Sequence, residues 1–444
     1  MTTQDYHSKD IGLDELQDLM SIADVEISNI SLEDYPNLLV FPDSFETYDK
    51  EFGKRVICSI SADGKKLYTN SIVGFVGVNK THLSIHSRFT EIEDKEGNDF
   101  FLHYMLQKVA NFNLLNLPHS TDEDSVFDFL VYLFPIYLKK AISQGLYKKY
   151  NHYRHNDANI KGYIDIARHI KNNIPFNGNV AYNTKEYSYD NDITQLIRHT
   201  IEYISKLPSG DSILSIDKDT QDAISTIRLA TPTYDPSAIT MVISKNIRPV
   251  VHPYYSEYTP LQRICLQILR HEELKYGQGE NEIYGVLIDA AWLWEEYLSI
   301  ILEEQFNHYL KDRGRRFYLF ENFQQIVPDY LSLDGSIVAD AKYIPLNQEK
   351  TYWGEKATSI YYKTITYMYR FCSDKGLLFY PHPDEDINIT PYNIKTEIAG
   401  KNGGTITKVG LRIPSGCNNY GEFVKAISQN EADFLDCINK IAHL

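Results

Sequence analysis

The chain has 444 residues, 43% of them hydrophobic and 23% charged, with a net charge of −16. That length supports two or three domains with substantial cores, and five cysteines (Cys58, Cys265, Cys372, Cys417, Cys437), odd in number and without CxxC spacing, argue against a zinc site or a disulfide framework. Met1 to Asp10 is polar and no apolar run reaches membrane-span length, so a soluble cytoplasmic protein with no membrane partner is expected, and one too acidic to hold DNA by overall charge.

In chain order, residues 1–150 read as a β-rich module followed by helices, with β-branched runs at 55–60, 72–78 and 83–85 punctuated by Asp63-Gly64 and Asn79-Lys80. Residues 100–146 carry apolar side chains at helical spacing. A mixed helical middle region, 151–280, has its best helices at 193–204 and 260–276, and the proline- and tyrosine-rich stretch 231–258 reads as irregular. Residues 284–302 read as one largely apolar helix with embedded acids, followed by a hairpin, a second helix over 359–371 and an apolar strand at 376–381. The expected class is α+β multidomain, with a C-terminal α/β domain at 281–444. No internal repeat or low-complexity tract interrupts it.

Basic residues cluster once. Lys139, Lys140, Lys148, Lys149, Arg154, Lys161, Arg168 and Lys171 face only Asp157 and Asp165, with Tyr147, Tyr150, Tyr153 and Tyr163 between them. Phosphate contacts from Lys148, Lys149, Arg154 and Lys161, with tyrosines stacking on bases, would suit nucleic acid. A solvated face or an acidic protein partner explains the segment equally well, because 34 tyrosines make any window tyrosine-rich.

The most informative stretch is Pro328-Asp329-Tyr330, then Asp340-Ala341-Lys342. Asp334-Gly335 between them suits a type I′ turn, which sets Asp329 directly across from Asp340. Facing carboxylates repel. Strand alternation puts Lys342 on the face of Asp340. Two carboxylates and an ammonium make a poor structural element but a good site for a hard divalent cation, with the lysine beside an attacking water. Other matches are weaker. Pro42-Asp43 with Asp63-Gly64-Lys65 places its later residues in a turn, Glu93-Asp94-Lys95 lies in a charge-rich run, and Pro383-Asp384 has no downstream partner.

Taken with the flanking elements, the pattern resembles the PD-(D/E)xK nuclease superfamily, and within it the McrC family: nuclease subunits of GTP-dependent McrBC restriction systems, with the related LlaJI-type subunits. Residues 289–298 resemble the family's D-M-x-x-L-F-E-x-Y-V segment and place its helix glutamate on Glu295. Pro328-Asp329, Asp340-Ala341-Lys342-Tyr343 and residues 377–381 match its PD, DAKY and LLYP motifs. Fainter landmarks lie at 73–78 with 83–85, 160–164 and 185–198. One position departs: aligned on Tyr367, Lys363 stands where the family usually has glutamine. A lysine there is a point charge able to contact a phosphate.

The resemblance implies a PD-(D/E)xK endonuclease core in 281–444. It also implies that the earlier residues, 1–150 first among them, dock on an AAA+ GTPase subunit, a McrB-like hexameric ring, and stimulate it. GTP then enters only through that partner, consistent with the lack of a GxxxxGK[ST] loop here. The expected substrate is double-stranded DNA. Asp329, Asp340, the Ala341 carbonyl and Glu295 would hold Mg²⁺ (or Mn²⁺), and Lys342 would favour the hydroxide form of the attacking water, leaving 5′-phosphate and 3′-hydroxyl ends. Removing Asp340 should abolish cutting and, by relieving repulsion, stabilise the cation-free protein.

Bland readings accompany each residue. Glu295 could simply pair with Arg315 or Arg316, and the residues alone leave Glu295 and Glu296 open, the resemblance favouring Glu295. Asp289 reads as a helix cap, Trp292 and Trp294 as core, His382 as a surface residue, and Lys342 as a plain ion-pair partner. Two other functions compete: a non-catalytic adaptor regulating the AAA+ partner, and a standalone metal-dependent DNA-repair nuclease.

Overall fold

The computed structural model describes residues 1–26, 37–41, 55–90, 99–110, 122–207, 210–270, 283–308, 317–321, 323–344, 354–383, 389–394 and 403–443. The fold is mixed α/β and divides into two compact units: Met1–Val126 with Gly277–Leu444, and Phe127–Tyr276. The three-part reading with boundaries at 150 and 280 thus gives way to a unit built from both ends of the chain, because long-range strand pairing joins them.

That pairing explains a difference from the sequence reading. The single helix expected over 284–302 is a strand, Ile283–Asp289, followed by a helix, Ala290–Ile301. The strand lies between Ile72–Val78, antiparallel, and Asn37–Phe41, parallel, within a five-stranded sheet. An apolar run of that length suits a buried central strand as well as a helix, and only its partners decide. The switch falls at Asp289, whose carboxylate caps Ala291 N–H at 3.0 Å and pairs with Arg55 at 2.6 Å. Capping was the expected role.

Gly74 and Gly285 let the two strands approach closely. Gly74 has φ 121°, and a Cβ there would sit 2.1 Å from the Val286 carbonyl oxygen. Gly74→Ala is expected to destabilise this unit by roughly 3 kcal/mol through strain and backbone collision. A lowered urea midpoint of the full chain checks it, and an unchanged midpoint would refute it.

A second, six-stranded sheet runs Phe306–His308, Tyr330–Ser332, Ile337–Ala341, Lys375–His382, Thr405–Arg412, Ile389–Asn393. The central strands Ile337–Ala341, Lys375–His382 and Thr405–Arg412 are mutually parallel, and Tyr330–Ser332 is antiparallel to Ile337–Ala341. On one face Val338, Leu378, Tyr380 and Ile406 bury against Tyr367 and Met368 of helix Gly354–Phe371. On the other, Phe379 packs edge-on to Phe434 of helix Tyr420–His443 at 5.4 Å. Trp294 is buried core as expected, whereas His382 is buried at 0% exposure and not a surface residue. The strand at 376–381 continues one residue further than its apolar run, carrying His382 into the sheet beside Gly410.

The second unit has a three-stranded antiparallel sheet (Lys149–Asp157, Val180–Ser188, Tyr163–Ile164) and helices around Asp192–Ile204, whose Ile193, Leu196, Ile197, Ile201 and Ile204 are buried. The stretch 231–258, read as irregular, includes the short helices Pro236–Ala238 and Ile239–Lys245. Among the described residues, no helix is long and apolar enough to cross a membrane.

Candidate active site

Tyr330 pairs with Ala339 and Leu331 with Val338, which is the register read from the sequence. The turn differs in type. Gly335 takes the left-handed conformation (φ 76°), whereas Asp334 is not among the positive-φ residues, so this is not a type I′ turn. Asp334 instead accepts from Ser336 N–H at 3.0 Å and from the Ser332 hydroxyl at 2.6 Å. An Asx turn of this kind satisfies the loop backbone from the side chain. The wider loop is symmetric about the same centre, so the pairing survives the change of turn.

Asp329 and Asp340 therefore meet across the hairpin, and one Asp329 oxygen accepts from Ala341 N–H at 2.7 Å. Asp340, 1% exposed, shares its sheet face with Val338 and pairs directly with the Lys342 ammonium. That ammonium also donates to the Ala341 carbonyl at 3.2 Å. Lys363, reaching in from helix Gly354–Phe371, stands 3.7 Å from the other Asp340 oxygen and 5.5 Å over the ring of Tyr367, one helical turn away. The position that departs from the family pattern is thus a second cation at the site.

Glu295 arrives from helix Ala290–Ile301 and is bonded to His308 Nε2 at 2.9 Å. Tyr330, beside Asp329, donates to the Glu295 carbonyl at 2.5 Å and stacks on the His308 ring at 5.2 Å. Arg315 and Arg316 lie outside the described residues, and the observed partner of Glu295 is His308. Sequence reading missed His308. A lone histidine on an edge strand carries no local signal, and its role exists only once that strand lies against the helix. Tyr343, which ends the Asp-Ala-Lys-Tyr run, is buried under the Arg88 guanidinium at 4.4 Å, and Arg88 pairs with Asp5 at 3.4 Å. The backbone just after Lys342 is thereby clamped by the N-terminal strands.

Burial, then Glu296 and Asp340, push Glu295 up to about 8 against the pull of Lys342 and Lys363. Burial, Asp340 and Glu295 push Asp329 well above the usual carboxylate range. Burial opposes the charge of Asp340 too, but Lys342, Lys363 and a hydrogen bond from Asp329 outweigh it and hold Asp340 below that range. Asp340 in turn raises Lys363 despite that lysine's burial. The surroundings thus favour the ionised form of Asp340, beside two lysines, and the protonated forms of Asp329 and Glu295. Environments that drive neighbouring carboxyls apart in this way make the cluster a functional-site candidate.

The basic residues of the sequence reading lie in the second unit. Lys149 pairs with Asp192 at 3.1 Å and Lys148 sits over the Tyr189 ring at 4.1 Å, while Arg154 and Lys161 are exposed. Asp63 lies in a turn, accepting from Lys65 N–H at 3.2 Å, as expected of that alternative match. Asp43, residues 93–95 and Asp384 lie outside the described residues.

A model of the family described as McrBC 5-methylcytosine restriction system component matches residues 67–381. The chain belongs to this McrBC family. Among solved structures, a chain in the tetradecameric assembly of Thermococcus gammatolerans McrB AAA+ hexamers with bound McrC is 15% identical, with a TM-score of 0.44 and 99% of each chain covered. A chain of the T. gammatolerans McrBC complex is 14% identical, with a TM-score of 0.32, covering 82% of this chain and 99% of that one. No curated protein matches this McrBC family member.

Proposed function

We propose that this chain is the nuclease subunit of a restriction complex, a PD-(D/E)xK endonuclease that hydrolyses phosphodiesters of double-stranded DNA and docks on an AAA+ GTPase subunit that it stimulates. The convergence of Glu295, Asp329, Asp340 and Lys342, from a helix and both arms of one hairpin, carries the reading. Membership in a family of restriction-system components supports a partner-dependent activity.

The donor set fits a hard divalent cation. An ammonium already lies against the Asp340 carboxylate and the Ala341 carbonyl, so those oxygens face a cation in the present structure. Among the described residues, no three or more His, Cys, Asp or Glu side chains form a metal cage by themselves. The carbonyl and water would complete the shell, as Mg²⁺ tolerates. Asp329, Asp340 and the Ala341 carbonyl would hold Mg²⁺ (or Mn²⁺), with Glu295 as a further ligand. Bound there, the ion supplies charge stabilisation of the transition state. Lys342 holds the attacking water and favours its hydroxide form. His308 fixes the Glu295 carboxyl, and Lys363 faces the incoming phosphate. The products carry 5′-phosphate and 3′-hydroxyl ends.

The test is cleavage of long methylated and unmethylated DNA by this chain with its AAA+ subunit, with and without GTP and Mg²⁺. Cutting that needs all four components is expected. Stimulated GTPase without any cutting would replace the nuclease reading by the adaptor, and cutting without partner or GTP would favour the standalone nuclease.

A further inference from the structure

Just before Asp329 the chain forms a hairpin of its own, Phe317–Phe320 with Phe323–Ile326. Phe317 pairs with Ile326, Tyr318 with Gln325, and Phe320 with Phe323 as the last pair before the tip. One face is anchored. Ile326 is buried, Phe317 and Leu319 pack on the core under helix Gly354–Phe371, and the Phe317 ring meets Phe371 at 5.0 Å. Arg370 Nε donates to the Tyr318 carbonyl at 2.6 Å. The tip is the opposite. Phe320 and Phe323 are 59% and 66% exposed, and their rings stack on each other at 6.0 Å and 25°.

Bare phenyl rings on a rigid, anchored hairpin are costly unless something covers them. Three observations point to DNA as the cover. Only Val327 and Pro328 separate the hairpin from Asp329, and Tyr367 Oη donates to the Val327 carbonyl at 2.8 Å, which fixes that junction. Phe323 is then at most about 20 Å of extended chain from Asp329, or about six base steps of duplex. In a chain of net charge −16, the sequence Lys311-Asp312-Arg313-Gly314-Arg315-Arg316 leads directly into the hairpin, so 311–323 carries four cations against Asp312 and Glu321. Finally, the two rings share one orientation, as stacking on successive bases requires.

We infer that the Phe320/Phe323 tip is a stacking wedge that engages unstacked DNA bases beside the cleavage site. The inference rests on the nuclease reading for the location of that site, but not for its test. Aromatic and other apolar side chains pressed into base steps unstack them and gain the ring contact in return.

The experiment uses the full chain carrying Asp340→Asn, to keep DNA uncut, mixed with duplex containing 2-aminopurine, both alone and with the AAA+ subunit. Binding is expected to raise 2-aminopurine fluorescence as bases unstack. The added pair Phe320→Ala and Phe323→Ala should abolish that rise and weaken binding by roughly tenfold per ring. Phe323→Trp should retain both signals. Because both rings are exposed, the melting temperature should hold within about 2 °C. The inference is overturned if the double alanine variant binds and unstacks DNA like its parent, if the parent binds no DNA, or if the rings matter only for GTPase stimulation, which would make the tip a protein contact. Wild-type chain that cuts DNA while binding is ring-independent would sink the wedge alone. Ring-dependent unstacking by a chain that never cuts would sink the nuclease reading alone.

Discussion

Asp340→Asn is expected to lower divalent-dependent cleavage by about a thousandfold or more, with GTPase stimulation of the partner intact. Asp340 is the one carboxyl of the three held ionised without a metal, and both lysines point at it. Its loss would remove a proposed cation ligand and the carboxylate that pairs with Lys342. The effect on stability should be small, and it differs from the simplest view of two repelling aspartates. Asp340 is an anion paired with two lysines, while the shift of Asp329 toward its protonated form acts to relieve the repulsion. With Asn at 340, Asp329 is free to ionise and take over the lysines, so the melting temperature should move by no more than about 3 °C. Cleavage assays beside a thermal melt check both halves. Normal cutting by the variant would remove Asp340 from the mechanism, and a collapsed fold would make its role structural.

Much of this site was legible because it is local. A turn dipeptide flanked by alternating residues set the register that places Asp329 opposite Asp340, and the register held although the turn closed through the Asp334 side chain. Asp289 as a cap was equally readable, since an acid before an apolar helix has one common use. What was not legible depends on contacts between distant segments. Nothing local in Ile283–Asp289 says strand; its partners Ile72–Val78 and Asn37–Phe41 do. The bond between Glu295 and His308 needed the edge strand that carries His308. Lys363 could be aligned but not aimed, and its approach to Asp340 follows from how helix Gly354–Phe371 lies on the sheet. The aromatic hairpin tip escaped notice because phenylalanines at helical or strand spacing usually mean core, and only exposure distinguishes them.

The upward shifts of Glu295 and Asp329 predict how a cation and pH act on the fold together. Glu295 is raised to about 8 from 4.5, and Asp329 is raised well above 3.8. A carboxyl with a raised folded-state value binds more protons folded than unfolded, so its stabilisation is complete below the unfolded value and is lost as pH rises toward the folded one. Without divalent cation, stability should therefore fall between about pH 4.5 and pH 8, by roughly 4 kcal/mol from Glu295. Glu295→Gln should flatten that decline and raise the melting temperature at pH 8. A bound divalent ion reverses the preference, because it needs both carboxylates ionised. Mg²⁺ or Mn²⁺ should then raise the melting temperature more at pH 8 than at pH 6, and binding near neutral pH should release about one to two protons. Calorimetry in two buffers of different ionisation enthalpy reads that release directly. If binding releases no protons, or stabilises equally at both pH values, Asp329 and Glu295 are not the ligands, and the cation must sit on Asp340 without them.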